Sequence, residues 1–117
     1  MKYGNKRVAF MGKIFDSIAE RDRWLELCLL QKTGKIRDLR RQVPFELIPK
    51  QGGERAVTYV ADFVYDTDAV RVAEDVKGMV TRDYVIKRKL FKERYPDYGF
   101  SEIYNGVPTK NSTFTLK

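Results

Sequence analysis

Three charged side chains sit inside runs that otherwise look like buried strand. Asp62 lies in Val60-Ala61-Asp62-Phe63-Val64, and Asp75 and Lys77 lie in Val72-Ala73-Glu74-Asp75-Val76-Lys77. Burying two carboxylates and an ammonium is costly unless they are paired or share a cation. A short polar stretch, Asp66-Thr67-Asp68-Ala69, separates the two runs and is rich in residues that hydrogen-bond their own backbone. These constraints predict a β-hairpin with a charged cluster on it.

The register follows from counting. With a turn over residues 66–69, Tyr65 pairs with Val70, Val64 with Arg71, Asp62 with Ala73 and Val60 with Asp75. Side chains alternate along a strand. One face then carries Thr58, Val60, Asp62, Val64, Arg71, Ala73, Asp75 and Lys77. The other carries Tyr59, Ala61, Phe63, Tyr65, Val70, Val72, Glu74 and Val76 and is almost wholly apolar. A slip of one residue would separate the aspartates. Glu74, on the apolar face, needs an exposed edge or a partner that the pattern does not name.

The rest of the chain predicts one small α/β domain with a mixed sheet. Its 117 residues are 43% hydrophobic, enough for a core. A short hairpin is expected over residues 8–15, turning at Gly12. A helix is expected over 17–33, with Ser17 as N-cap, Glu20 at the capping-box position and Gly34 as the stop. Residues 36–39 and 42–48 look extended, with Pro44 pointing to an edge or bulge. A second helix is expected over 81–95, ended by Pro96, and a short strand over 100–104. The domain is expected to span residues 1–104, with 105–117 a polar tail that is mobile or orders on binding.

Composition removes several chemistries. The chain has no histidine, which excludes His-based nucleophilic triads and His-ligated zinc. The single cysteine, Cys28, cannot form an internal disulfide and is expected as a buried thiol in a reducing compartment. No apolar stretch is long enough to cross a bilayer or to act as a signal peptide, so no membrane partner is expected. The net charge of +7 favours a polyanionic partner.

Asp62 and Asp75 are suited to Mg²⁺, with the Val76 carbonyl as a further oxygen ligand. Lys77, two residues on, is placed to hold or deprotonate a water, or to offset charge on a phosphate. Such a cluster suits phosphodiester chemistry. Glu20 serves as a cap and, on one helical stripe with Trp24 and Leu27, also as a third acidic ligand. In the second helix Lys87 and Arg88 are the best-placed cations for a phosphate. Arg41 and Gln42, with Arg37 and Arg40, precede the hairpin and either track a backbone or line an exposed edge.

This layout resembles the PD-(D/E)XK nuclease superfamily: a helix with a glutamate, a hairpin with Asp and then Asp-x-Lys, and a second helix with basic residues. It is similar, more closely, to a family of small phage and prophage nucleases long catalogued as a domain of unknown function. The matching stretches are Lys2-Tyr3-Gly4-Asn5-Lys6, Phe15-Asp16-Ser17 with Glu20, residues 39–47, Tyr59-Val60-Ala61-Asp62-Phe63, Glu74-Asp75-Val76-Lys77-Gly78 and Lys87-Arg88-Lys89-Leu90-Phe91. The superfamily's proline before the first aspartate is Ala61 here, at a position where the superfamily is lax.

The resemblance implies a restriction-endonuclease-like core, with a mixed central sheet flanked by helices. It also implies a metal-dependent DNA endonuclease using Mg²⁺ or Mn²⁺, with Glu20, Asp62, Asp75 and Lys77 as the active site. Gln42 matches a recurring glutamine. Some relatives look like Holliday junction resolvases acting as dimers. The expectation is therefore a homodimeric enzyme acting on branched DNA in the cytoplasm of a bacterial host, encoded by a phage or prophage. The first helix, apolar around much of its surface (Ile18, Trp24, Leu25, Leu27, Leu29, Leu30), offers either a dimer interface or plain core. The alternatives are a nuclease for flaps, nicks or linear duplex, and a basic DNA-binding module without catalysis.

Overall fold

A computed structural model describes residues 7–116. The motif at residues 2–6 lies outside the described residues. Strands β1 (Val8–Phe10) and β2 (Lys13–Phe15) form the expected hairpin, turning through Met11 and Gly12 in the left-handed region. Helix α1 (Ile18–Lys32) starts at Ser17, whose hydroxyl accepts from the Glu20 N–H at 3.1 Å. The Glu20 carboxylate caps in turn, accepting at 3.0 Å from the Asp16 N–H rather than from that of Ser17. Gly34 ends the helix at φ 86°, a conformation open to glycine at little cost.

The central sheet holds β3 (Arg37–Ile48), β4 (Val57–Asp66), β5 (Arg71–Lys77), β6 (Gly99–Tyr104) and β7 (Val107–Pro108), in that spatial order. Pro44 is tolerated because β3 is an edge strand. Strands β5 and β6 run parallel and are joined through α2 (Arg82–Arg94); the other pairs are antiparallel. Leu27 of α1, with Trp24 and Leu30 beside it, covers Phe63, Tyr65 and Val72. Tyr84 and Phe91 of α2 pack with Phe45, Tyr59, Ala61, Val64 and Phe100. Two helices thus flank a five-stranded mixed sheet, the arrangement expected of a restriction-endonuclease-like core.

The hairpin register differs from the counted one by two residues: Val64 pairs with Ala73 and Asp66 with Arg71. The cause is the turn, which spans residues 67–70. The Thr67 hydroxyl accepts from the N–H groups of Ala69 and Val70, at 3.1 and 3.0 Å. Asp66 and Arg71 close the turn with a 2.6 Å ion pair. An even slip keeps every side chain on its face, so the relation of Asp75 to Lys77 survives.

The expectation of a single face along β4 does not hold. Tyr59 and Ala61 join the cluster under α2, whereas Phe63 and Tyr65 join the cluster under α1. The same crossover occurs in β3, between Arg41, stacked on Phe15 and Trp24, and Val43, packed with the α2 cluster. Gln42 lies at the crossover of β3 with φ 52°, and Asp62 lies at that of β4. The β4–β5 ladder runs only to Phe63 and Glu74. Beyond it, the Val76 N–H donates to the Asp62 carboxylate at 2.9 Å instead of to a strand carbonyl. The two strands part where the acidic residues sit.

Glu74 is fully buried and has a partner that the sequence pattern did not supply. The Arg23 guanidinium of α1 grips it through two hydrogen bonds of 2.5 and 3.0 Å, and the Tyr65 hydroxyl donates to it at 2.7 Å. Cys28 is half-buried rather than enclosed, and burial still raises its thiol pKa.

Residues 105–116 do not form a free tail. Thr109 and Thr113 donate their N–H groups to the carbonyls of Glu102 and Phe100, at 2.8 and 2.7 Å, and Phe114 and Leu116 pack with the α1 cluster. This segment makes Gly99 irreplaceable: a Cβ there would lie 2.8 Å from Phe114 Cβ and 3.0 Å from Val70 Cγ2. Neither neighbour can swing away freely, so Gly99→Ala should cost about 1–3 kcal/mol by overpacking. Thermal unfolding should show the loss, and limited proteolysis should cut sooner after Tyr104. Wild-type behaviour in both assays would mean the segment is not docked here.

Candidate active site

Glu20, Asp62, Val76 and Lys77 line one small polar cavity of about 140 Å³, with Gly78 and Met79 at its edge. Three elements bring them together. The α1 N-cap fixes Glu20, the crossover in β4 turns Asp62 out of the regular alternation, and β5 supplies Val76 and Lys77, next to the buried Asp75. The larger cavity, about 430 Å³, lies at the turn end of the hairpin. Its arginines Arg37 and Arg71 are already paired, with Asp68 and Asp66, so it lacks the convergent unpaired chemistry of the smaller one.

Gln42 joins two of the acids. Its amide nitrogen donates to Glu20 Oε2 at 3.0 Å and lies 3.4 Å from Asp62 Oδ1. Asp75 is buried; its Oδ2 accepts from the Tyr59 hydroxyl, and its Oδ1 lies 3.6 Å from Lys77 Nζ. The Lys77 ammonium also sits 4.0 Å over the Tyr84 ring. Val76 contributes its N–H to Asp62.

The electrostatics are strained. Burial holds the Asp62 carboxyl well above its ordinary pKa, and the charges of Asp75 and Glu20 raise it further. Glu20 is raised by burial and by Asp16, against the hydrogen bond from Asp16 N–H, the charge of Arg41 and the amide of Gln42. Glu20 and Asp62 at the cavity, with the buried Asp75 close enough to raise Asp62, make a concentration of negative charge that a divalent cation could offset.

Among the described residues no three acidic side chains are already gathered into a cage. Mg²⁺ does not need one, since it commonly takes one or two carboxylates and keeps several waters. Asp62 and Asp75 are the pair that could hold it, and Glu20 is coupled to Asp62 through Gln42.

The expected DNA contacts are largely redirected. Arg88 is mostly buried and donates to Glu102 at 2.9 Å, so it is committed internally. Arg41 lies 4.1 Å over the Phe15 ring and donates to the Ile14 carbonyl at 2.7 Å. Its guanidinium tethers the β1–β2 hairpin beside Glu20 rather than following a phosphate backbone. Gln42 serves the acids. Lys87 remains on the open side: it pairs with the exposed Asp83 at 3.5 Å and lines a second pocket with Lys77, Tyr59 and Tyr84.

Sequence reasoning missed Tyr59, Tyr84, Arg23 and Glu102. Glu102 carried a usable signal, a carboxylate in the apolar stretch Phe100-Ser101-Glu102-Ile103, the same anomaly that marked Asp62. The tyrosines looked like ordinary core.

A family model described as a protein of unknown function, DUF1064, matches residues 1–108. The chain belongs to the DUF1064 family. The DUF1064 match takes in every residue of the cavity and stops just short of Thr109 and Asn111, which contact Glu102. No curated protein matches the chain.

Proposed function

We propose that this DUF1064 protein is a metal-dependent DNA endonuclease of the PD-(D/E)XK type. The observation that carries the reading is the meeting of Glu20, Asp62 and Lys77 in one cavity, with Asp75 against Lys77. Asp62 and Asp75 would hold Mg²⁺ or Mn²⁺, with the Val76 carbonyl as a further ligand. A bound divalent ion supplies charge on the phosphate and a more acidic water. Lys77, on the same side of β5 as Asp75, orients the attacking water and offsets charge on the phosphate oxygens. Gln42 keeps Glu20 and Asp62 in register, and Lys87 at the adjoining pocket takes a neighbouring phosphate.

The net charge of +7 supports DNA as the partner. The substrate we favour is branched DNA cut by a homodimer, as in Holliday junction resolution in a phage-infected bacterial cell. Trp24, Leu27 and Leu30 are used in the core, which leaves Ile18, Leu25 and Leu29 exposed along α1 as the candidate dimer stripe. No helix among the described residues is long and apolar enough to cross a membrane.

The test is cleavage of a labelled four-way junction beside matched duplex, flap and single strand, with Mg²⁺ and with EDTA. Paired, metal-dependent cuts confined to the junction are the expected result. Metal-dependent cutting of every substrate would keep the nuclease and discard junction specificity. DNA binding that weakens steeply with salt, without cutting under Mg²⁺ or Mn²⁺, would leave a basic binding module.

A further inference from the structure

Behind Lys77 lies a second buried carboxylate that the proposed chemistry does not use. Glu102 on β6 pairs in parallel register with Asp75 on β5. Proximity alone would nominate it as another metal ligand, but its hydrogen bonds exclude that. Oε1 accepts from the Thr109 hydroxyl at 2.6 Å and the Asn111 amide at 3.0 Å. Oε2 accepts from Arg88 at 2.9 Å and from the Tyr84 hydroxyl. Burial works against its charge, yet these four donors outweigh it and hold its pKa at about 2. Glu102 is an anchor with both oxygens taken.

What it anchors is Tyr84. The Tyr84 N–H is held by the Thr81 cap at 3.1 Å, its hydroxyl by Glu102, and one side of its ring by Arg88, 5.5 Å from the centroid. The ring also carries the Lys77 ammonium, 4.0 Å from the centroid. Lys77 is a flexible four-carbon chain with little else to fix it: among the described residues its one ion-pair partner is Asp75 Oδ1, at 3.6 Å. An ammonium over an aromatic face is attracted to the ring quadrupole, which sets direction as well as energy.

We propose that Tyr84 is a positioning residue for Lys77: its ring seats the ammonium beside Asp75, and Glu102, pinned by Arg88 and by Thr109 and Asn111 of the C-terminal segment, fixes the ring. Residues 109–111 thereby support the cavity from outside it. The catalytic consequence rests on the nuclease reading; the seat itself does not.

The experiment therefore reads the seat directly. In the labelled full-length protein, the Lys77 ε-methylene signal, assigned by its loss in Lys77→Arg, should be displaced upfield of the other lysines by the ring current. Tyr84→Phe keeps the ring but frees it from Glu102 and should reduce the displacement, whereas Tyr84→Leu should abolish it. In cleavage assays Tyr84→Leu should lower kcat roughly 10–100-fold, the scale of losing a supporting contact behind a site, with KM for DNA and the Mg²⁺ requirement little changed. Tyr84→Phe, which keeps the ring without its anchor, should recover part of kcat.

A Lys77 signal at the ordinary lysine position in wild type, or one unmoved by Tyr84→Leu, would overturn the proposal. If Tyr84→Leu does not fold, Thr109→Val with Asn111→Ala unpins Glu102 and must shift the Lys77 signal; an unshifted signal would overturn it equally. An upfield Lys77 signal in a wild type that cuts no DNA would uphold the seat and sink the nuclease.

Discussion

Asp75→Asn should leave a folded, DNA-binding protein that no longer cuts. A bound metal contributes several kcal/mol of transition-state stabilisation, and each 1.36 kcal/mol is a factor of ten, so kcat should fall by roughly 10³-fold. The substitution is close to isosteric. The carbonyl oxygen of the new amide would still accept from the Tyr59 hydroxyl, which preserves the contact that holds the side chain under α2. What disappears is one of the two proposed anionic ligands, together with the charge facing Lys77. DNA affinity should hold or rise, because one negative charge leaves the neighbourhood of the proposed phosphate site. Asp62→Asn should be as inactive and less stable. Its amide would place a donor against Gln42 Nε2, or else against the Val76 N–H. Single-turnover cleavage, a filter-binding titration and a thermal melt on both variants separate these effects. Cutting at near wild-type rates by Asp75→Asn would remove the metal site from the proposal.

The elements were legible because local signals agreed with global ones. Ser17, Gly34 and Pro96 bounded the helices, and alternation located the strands. The candidate site was legible through expense: a carboxylate in an apolar strand needs a partner, and Asp62 and Asp75 both have one. Period-two counting could not foresee the crossover at Gln42 and Asp62. A left-handed residue in β3 reverses the faces of its neighbour as well, and nothing in the letters of β4 marks it. Arg41 and Arg88 misled for a related reason. Arginine is drawn to phosphates on a surface and to carboxylates or aromatic rings inside, and only tertiary placement decides between them. The C-terminal segment looked like tail because much of its anchoring is polar; Thr109, Asn111 and Ser112 bond to Glu102, a residue whose own burial was not foreseen.

Breaking the Arg23–Glu74 pair should be the most destabilising single change in the core. Glu74 has no exposed surface, and Arg23 covers it from α1 with two hydrogen bonds. Removing the cation leaves an uncompensated buried charge, which costs about 3–5 kcal/mol. For a domain of this size that corresponds to a loss of roughly 10–20 °C in Tm. Arg23→Met is the informative variant, because methionine keeps the volume and loses only the charge and its donors. The reverse change, Glu74→Leu, should cost less, since the mostly buried Arg23 lies at the helix surface and can turn its guanidinium to water. Joining Arg23→Met, Glu74→Leu and Tyr65→Phe removes every member of the network together. It should bring Tm back to near wild type, since an apolar replacement of a whole buried pair is often neutral. The pair sits one turn along α1 from Glu20 and next to Asp75 on β5, so it also sets where the helix meets the sheet. If docking is all it provides, the triple variant should recover cleavage together with stability. Recovered stability without cleavage would mean that the ion pair orients α1 in a way apolar packing does not reproduce.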